Sequence, residues 1–467
     1  LSAPTNFHVT QTVSEEFGTK DIKNWFSFDD PYYSPVDLSY LNDAPTGSHG
    51  FLKAKGDQLV FSDGTAAKFW GTNISAGALF STSHIDIPKH ASRIAKLGFN
   101  LVRIHHLDSY WVEPNIFGKN ADSTLYLSER AMSTIDMWIS ELNKQGVYIW
   151  FDLHVQRFVT EKDNIYAFNE IEQKSPKQKG ESNIKGYSYF NLTIRNAMKN
   201  LNKQLLSRAN RYTGVKYADN PGIAFLLLTN ENDITHHFGN ALLADKKVPK
   251  HNSIYRNDVK KTSKRLGLNP KQAWRSWEYG DSKIYLNDAE HRFNYKMIEH
   301  LKNIGVTNTI VSGNTWGKMS LAGLPSLTDG DIIDVHSYGR KGELLFNPRY
   351  KDNMLSWIGA AQVTNKPLSV TEWNVEKFPV SDRFTIPTWL ASIASLQGWD
   401  SLMLYGYSQS PLNNSGKGSN YSSFNDPSLI AMMPASAILY RQEHVSKANK
   451  HYHLRLSQSN FFNKKKE

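Results

Sequence analysis

The 467-residue chain contains no cysteine. That excludes disulfides, thiolate metal centres and a cysteine nucleophile in any compartment. No apolar run approaches the ~20 residues a helix needs to cross a bilayer, so no membrane span is expected. No G-x-G-x-x-G or P-loop follows the first strand-like run, and no G-x-S-x-G occurs. Dinucleotide binding and nucleophile-elbow serine chemistry are therefore disfavoured. Zinc-finger and RNA-binding signatures are also missing, and aromatics are not interleaved with the basic runs, so no nucleic-acid partner is expected. The start at Leu1 has no basic segment followed by an apolar one. The expectation is a secreted or periplasmic protein whose signal peptide has been removed.

Basic residues are in excess, with a formal net charge of +10. Lys464-Lys465-Lys466 reads as a solvated tail rather than a nucleic-acid patch. The charge makes an anionic polysaccharide one candidate partner. Aromatics are plentiful, with 12 Trp, 22 Tyr and 23 Phe. Most belong in a core, and a surplus suits a cleft that stacks flat rings.

Residues 1–57 are polar and rich in turn residues, and read as an arm wrapped over a larger domain. Residues 58–61, the turn Ser62-Asp63-Gly64 and residues 67–70 read as a hairpin. A unit then repeats: amphipathic helix, glycine, short apolar strand. Helix 88–97 stops at Gly98 before strand 99–104. Met132, Ile135, Trp138, Ile139 and Leu142 share a helical face that ends at Gly146, before strand 147–151. Phe293, Met297, Ile298 and Leu301 end at Gly305, before strand 309–311. Trp389, Ile393 and Leu396 end at Gly398, before strand 402–405. Glycine supplies the left-handed residue past each helix end. Runs 223–228, 332–335 and 367–370 look like further strands, and 69–73 comes first. The runs are continuously apolar, as expected for parallel strands buried on both faces.

Eight such units predict a closed (β/α)8 barrel over residues 58–445, with its site at the C-terminal strand ends. An open doubly wound sheet is the alternative. Long connections after the third and fourth strands, 156–222 and 234–290, are expected to shape a cleft. Within the first, residues 174–186 read as loop and Ile194, Met198, Leu201 and Leu205 as a helical stripe. Residues 446–467 form a tail whose 450–456 segment reads as one unpartnered strand, a candidate start of a further domain.

Polar residues follow the apolar runs in order. They are Asn73, then Arg103 with His105 and His106, Asp152 with His154, Asn230-Glu231, Asn314 with Trp316, His336 with Tyr338, Glu372-Trp373, and Tyr405 with Tyr407. Two carboxylates at strand ends have a chemical logic. Glycosidic cleavage needs one acid to protonate the leaving oxygen and one carboxylate to meet the oxocarbenium-like centre. Arg103 and Tyr338 are suited to hold Glu372 ionised, and Arg103 could also pair with Asp152. Once Glu372 is esterified its charge disappears, and Glu231 gives up its proton more readily.

This ordered set resembles the large barrel clan of retaining glycosidases (clan A). His336-Ser337-Tyr338, Arg103, His154 and the first strand Phe69-Trp70-Gly71-Thr72-Asn73 resemble glycoside hydrolase family 5, the cellulase and mannanase family. The resemblance covers roughly residues 58–440. It implies Glu231 as acid/base, Glu372 as nucleophile, Asn230 as partner of the sugar 2-hydroxyl, and His336 and Tyr338 as orienting groups. The family usually carries a tryptophan on the eighth strand as sugar floor. Here Tyr405 or Tyr407 stands there, with Trp316 and Trp373 as other platforms.

The expected function is retaining hydrolysis of β-linked polysaccharide or oligosaccharide, endo-acting, with no cofactor and no metal. Exo action and a non-catalytic carbohydrate-binding barrel are alternatives. A metal hydrolase using His105, His154 and His336 is disfavoured, because the first strand offers only Asn73.

Overall fold

The computed structural model describes residues 30–172, 181–315, 321–340, 342–343, 350–376, 380, 383–412 and 419–463. Its centre is one closed parallel sheet. The staves are β1 (Phe69–Ser75), β2 (Leu101–His105), β3 (Tyr148–Asp152), β4 (Ile223–Leu227), β5 (Thr309–Val311, resumed at Asn314–Thr315), β6 (Ile333–Arg340), β7 (Leu368–Glu376) and β8 (Ser401–Ser408). Each pairs in parallel with the next, and β8 pairs with β1. The first piece of β5 pairs with β4 and the second with β6, so the split stave completes the ring. The helices that follow the staves are α1 (Ile87–Lys96), α2 (Glu129–Lys144), α3 (Leu192–Ser207), α4 (Asp281–Asn303), α5 (Leu324–Leu327), α6 (Met354–Ala360), α7 (Ile386–Gln397) and α8 (Met433–Arg441). The fold is the expected (β/α)8 barrel.

The staves are apolar on both faces because both faces are buried. Val102 and Ile104 point outward, into the layer beneath the helices. Leu101, Trp150, Phe225, Leu227, Val311 and Met403 fill the barrel interior. The hairpin strand Gln58–Phe61 pairs with Leu52–Lys55 as well as with Ala66–Ala67. Leu52, Leu59 and Phe61 join the interior cluster and plug the N-terminal mouth. At roughly 1.5–3 kcal/mol per buried large apolar side chain, these three contribute on the order of 5–9 kcal/mol to holding the hairpin in place. The interior is therefore apolar at the bottom and becomes polar only near the top, at Arg103, His105 and Asp152.

Gly98, Gly146, Gly305 and Gly398 all have positive φ just past a helix, as expected. At Gly98 a Cβ would stand 2.5 Å from the Ala437 side chain, so a close approach to α8 is added to the backbone requirement. The α7 stripe differs from expectation. Ile386, Leu390, Ala391 and Ala394 are buried, whereas Trp389 and Ile393 are half-buried and Leu396 is exposed. This helix is apolar on nearly every side, so periodicity alone misplaces its face.

The arm packs under the barrel: Asn42 Nδ2 donates to Phe99 O and Gln145 O, at 3.1 and 3.2 Å. The connection after β3 holds a ladder of Phe158–Thr160 with Glu181–Asn183. Part of the expected loop at 174–186 therefore pairs as a strand. The connection after β4 contains the helix Pro249–Leu266. Residues 450–456 form no strand; they run exposed over the surface before a short helix, Gln458–Phe462, whose last residue is buried. No described helix is long and apolar enough to cross a membrane.

Candidate active site

Arg103 stands inside the barrel, fully buried, and shares its guanidinium among four residues. Its Nη1 donates to Glu372 Oε1 at 2.6 Å, Nη2 to Asn230 Oδ1 at 2.6 Å, and Nε to both Asp152 oxygens at 3.1 Å. Asn73 Oδ1 is a further acceptor at 3.4 Å. The expected alternatives for Arg103, partner of Glu372 or ion pair with Asp152, are thus both present as contacts. Burial works against its charge, but Asp152 and Glu372 outweigh it and hold the group above its ordinary value.

Glu372 receives a second donor, the Tyr338 hydroxyl, at 2.6 Å on Oε2. Burial and the Glu372 charge push the Tyr338 phenol well above its ordinary value, so it remains a donor. Two strong donors hold the carboxylate in one orientation.

Glu231 sits where β4 leaves the barrel, with a left-handed φ of 46°. A glutamate in that region is uncommon, and here Asn314 holds it by accepting the Glu231 N–H at 2.8 Å. Its carboxyl lies 2.7 Å from His336 Nδ1. Burial raises the carboxyl above its ordinary value, opposed by Lys185 and Arg103. His336 Nδ1 is also 3.4 Å from Glu372 Oε2. One atom each of Glu231, His336 and Glu372 lies within 4.8 Å of the others. Such a trio could chelate a cation, yet Arg103 already occupies the cationic position on Glu372. Burial drives His336 down to about 4, so its imidazole is neutral near pH 7.

These groups open into a cavity of about 220 Å³ that is lined by Asn230, Glu231, Tyr338, Glu372 and Tyr405. The Asn230 carbonyl is taken by Arg103, leaving its amide for the cavity. Tyr405 lines the cavity from the eighth stave; its hydroxyl donates to Gln409 at 2.8 Å, and its ring meets His105 edge-on at 5.7 Å. Tyr407 turns away, into contact with His90 and Arg93.

Other expected residues lie elsewhere. Trp373 is fully buried and packs on Trp70 in the outer layer, 5.8 Å between ring centroids. Adjacent strand residues face opposite sides, so with Glu372 inside, Trp373 cannot be a sugar platform. His154 does not line the cavity; it bonds Asn202 of α3 at 2.9 Å. Trp316 lies outside the described residues.

His105 and His106, named at the second strand end, both line the cavity, because the chain turns left-handed at His106, φ 55°, and ends the alternation. Sequence reasoning missed several other residues of this cavity. Gln156, Glu376, Gln409 and Tyr421 also line it. Trp111, 39% exposed, stands against His106 and donates to Gln156. No local pattern marks these loop residues.

No family model matches the chain, and no curated protein matches it in sequence. In structure it is similar to an endo-1,4-β-mannanase from Rhizomucor miehei, with 15% identity over 82% of this chain and 99% of that one, TM-score 0.51. A glycoside hydrolase family 5 mannosidase from the same organism has 10% identity over 84% and 98%, TM-score 0.54. A variant of the family 5 mannosidase in complex with mannosyl-fructose has 12% identity over 85% and 99%, TM-score 0.52. What the chain shares with these glycoside hydrolases is the fold.

Proposed function

We propose that this chain is a retaining glycoside hydrolase acting on β-linked polysaccharide or oligosaccharide, with Glu372 as nucleophile and Glu231 as acid/base. The carrying observation is the carboxylate pair, with an oxygen of each within 4.8 Å of the other. That separation fits the ~5–5.5 Å of retaining sites and not the ~6.5–9.5 Å that inverting sites need to seat a water. The similarity in fold to a mannanase and a mannosidase agrees with this reading.

Glu372 attacks the anomeric carbon while Glu231 protonates the departing oxygen. The ester formed removes the Glu372 charge, and Glu231, now a carboxylate, takes a proton from water as that water opens the ester. Arg103 and Tyr338 aim Glu372, and the Asn230 amide meets the sugar hydroxyl beside it.

Lys185 favours an anionic substrate. It is half-buried, and the N–H of neighbouring Gly186 donates to Asn232 at 3.0 Å, beside the Glu231 segment. Its ammonium stands 5.5 Å from the Phe238 ring centroid and forms no ion pair among the described residues. The Glu231, Asp108, Glu372 and Asp233 carboxylates act on it from a distance, and a carboxylated or sulfated sugar would add a counter-charge in contact. The long connections after β3 and β4 favour endo action on an extended chain, and a polymeric substrate favours work outside the cytoplasm; product sizing and cell fractionation test these two points.

The main experiment measures reducing-sugar release from neutral, carboxylated and sulfated glycans. Glu231→Gln and Glu372→Gln should each lose on the order of 10²–10⁴-fold in kcat. The first anomer formed, followed by proton NMR, should keep the substrate configuration. Lys185→Gln should lose about tenfold on anionic glycans alone. Activity surviving in both glutamate variants, or inversion, overturns the reading. Equal rates of wild type and Lys185→Gln on anionic glycans overturn only the substrate class.

A further inference from the structure

A line of hydrogen bonds runs inward from Glu231 and ends on a buried acid. His336 Nδ1 lies 2.7 Å from Glu231 Oε1, and its Nε2 lies 3.0 Å from Thr371 Oγ1. The Thr371 hydroxyl donates to Asp334 Oδ2 at 2.5 Å. Asp334 also accepts the Thr371 N–H at 3.0 Å and Asn314 Nδ2 at 2.9 Å. Three donors converge on that carboxylate, which is fully buried.

A threonine hydroxyl has one hydrogen. Burial pushes Asp334 up to about 7, and while Asp334 is ionised the hydrogen is directed at it and the oxygen accepts from His336. His336 must then carry its proton on Nε2. A neutral imidazole has one N–H, so Nδ1 presents a lone pair to Glu231. At 2.7 Å a lone pair repels a carboxylate but accepts a hydrogen bond from a carboxylic acid.

We propose that Thr371 and Asp334 are positioning residues that lock His336 as the Nε2–H tautomer and thereby keep Glu231 in its acid form. The lock rests on the assignment of Glu231 as acid/base. It makes Glu231 a proton donor in the first half of the cycle and a strong base in the second. The charged and titratable groups facing this line, besides Asp334 within it, include Arg103 and Asp152, Glu372, Lys185, Asp233 with His237, His105, and the phenols of Tyr338 and Tyr405. Only Asp334 loses a contact in Thr371→Val, the Thr371 hydroxyl, so a shift in the Glu231 titration reports the line of His336, Thr371 and Asp334 as a unit.

The experiment has two arms. In ¹⁵N-histidine-labelled protein, the ring nitrogens of His336 are assigned by loss of one set among the 16 histidines in His336→Gln. The wild type should show Nε2 protonated and Nδ1 free. Thr371→Val, which keeps the shape and removes the oxygen, should show a mixture of tautomers. This arm needs no substrate, so it stands or falls apart from the glycosidase reading. In the second arm, Thr371→Val should move the alkaline limb of kcat/KM about one pH unit lower, and Thr371→Ser should restore it. An Nδ1–H tautomer in the wild type overturns the proposal. So does a Thr371→Val profile that falls evenly at every pH with its limb unmoved.

Discussion

Arg103 concentrates the order of the site in one side chain. Its planar fork reaches Asp152, Asn230 and Glu372 at once, which a lysine ammonium could not do. Arg103→Met would leave Asp152 and Glu372 buried without their cation. Breaking a buried network in this way costs ~3–5 kcal/mol, so the denaturant midpoint should fall markedly, as urea unfolding followed by circular dichroism would report. Both glutamates were legible in sequence because a carboxylate directly after an apolar stave has no other ready explanation. Thr371 and Asp334 were not. Each is an ordinary strand residue whose role depends on what stands across the barrel.

Among the elements, the staves were the most readable. Parallel strands covered on both sides are short, continuously apolar and preceded by a helix-ending glycine. The ladder of Phe158–Thr160 with Glu181–Asn183 was hidden, because its second strand is polar and its pairing is set by the surrounding loops. The face of α7 was hidden for the opposite reason, an excess of apolar residues. The platform role of Trp373 failed on strand alternation, since its neighbour Glu372 already holds the inner face. The start of β7 carries a testable device. Asp400 Oδ2 accepts the Leu368 N–H at 3.0 Å, and burial pushes this acid up to about 7. In the unfolded chain an aspartate titrates near 3.9. The folded state therefore holds the proton more tightly, and the associated stability, present in full below about pH 4, is lost as pH rises to about 7. Asp400→Asn removes this dependence. Relative to that variant, the wild type should be more stable at pH 4.5 than at pH 8 by a few kcal/mol (on the order of one per pKa unit), measured as paired thermal midpoints.

At the scale of the whole molecule, chemistry and cohesion are separated along the barrel axis. The hairpin plug and the arm secure the N-terminal mouth, while the acid pair occupies the opposite end. The long connections after β3 and β4 belong to the outer core as well as to the rim, through side chains such as Phe158, Ile184, Leu242 and Tyr255. The closeness of Glu231 and Glu372 to a shared His336 has a further consequence. In the proposed double displacement, one carboxylate gains the negative charge that the other gives up. The summed charge of the pair stays at minus one from resting enzyme to ester and back. The surrounding dipoles then hold one net charge throughout, shifted only between two neighbouring carboxylates, so no additional charge has to be accommodated during turnover.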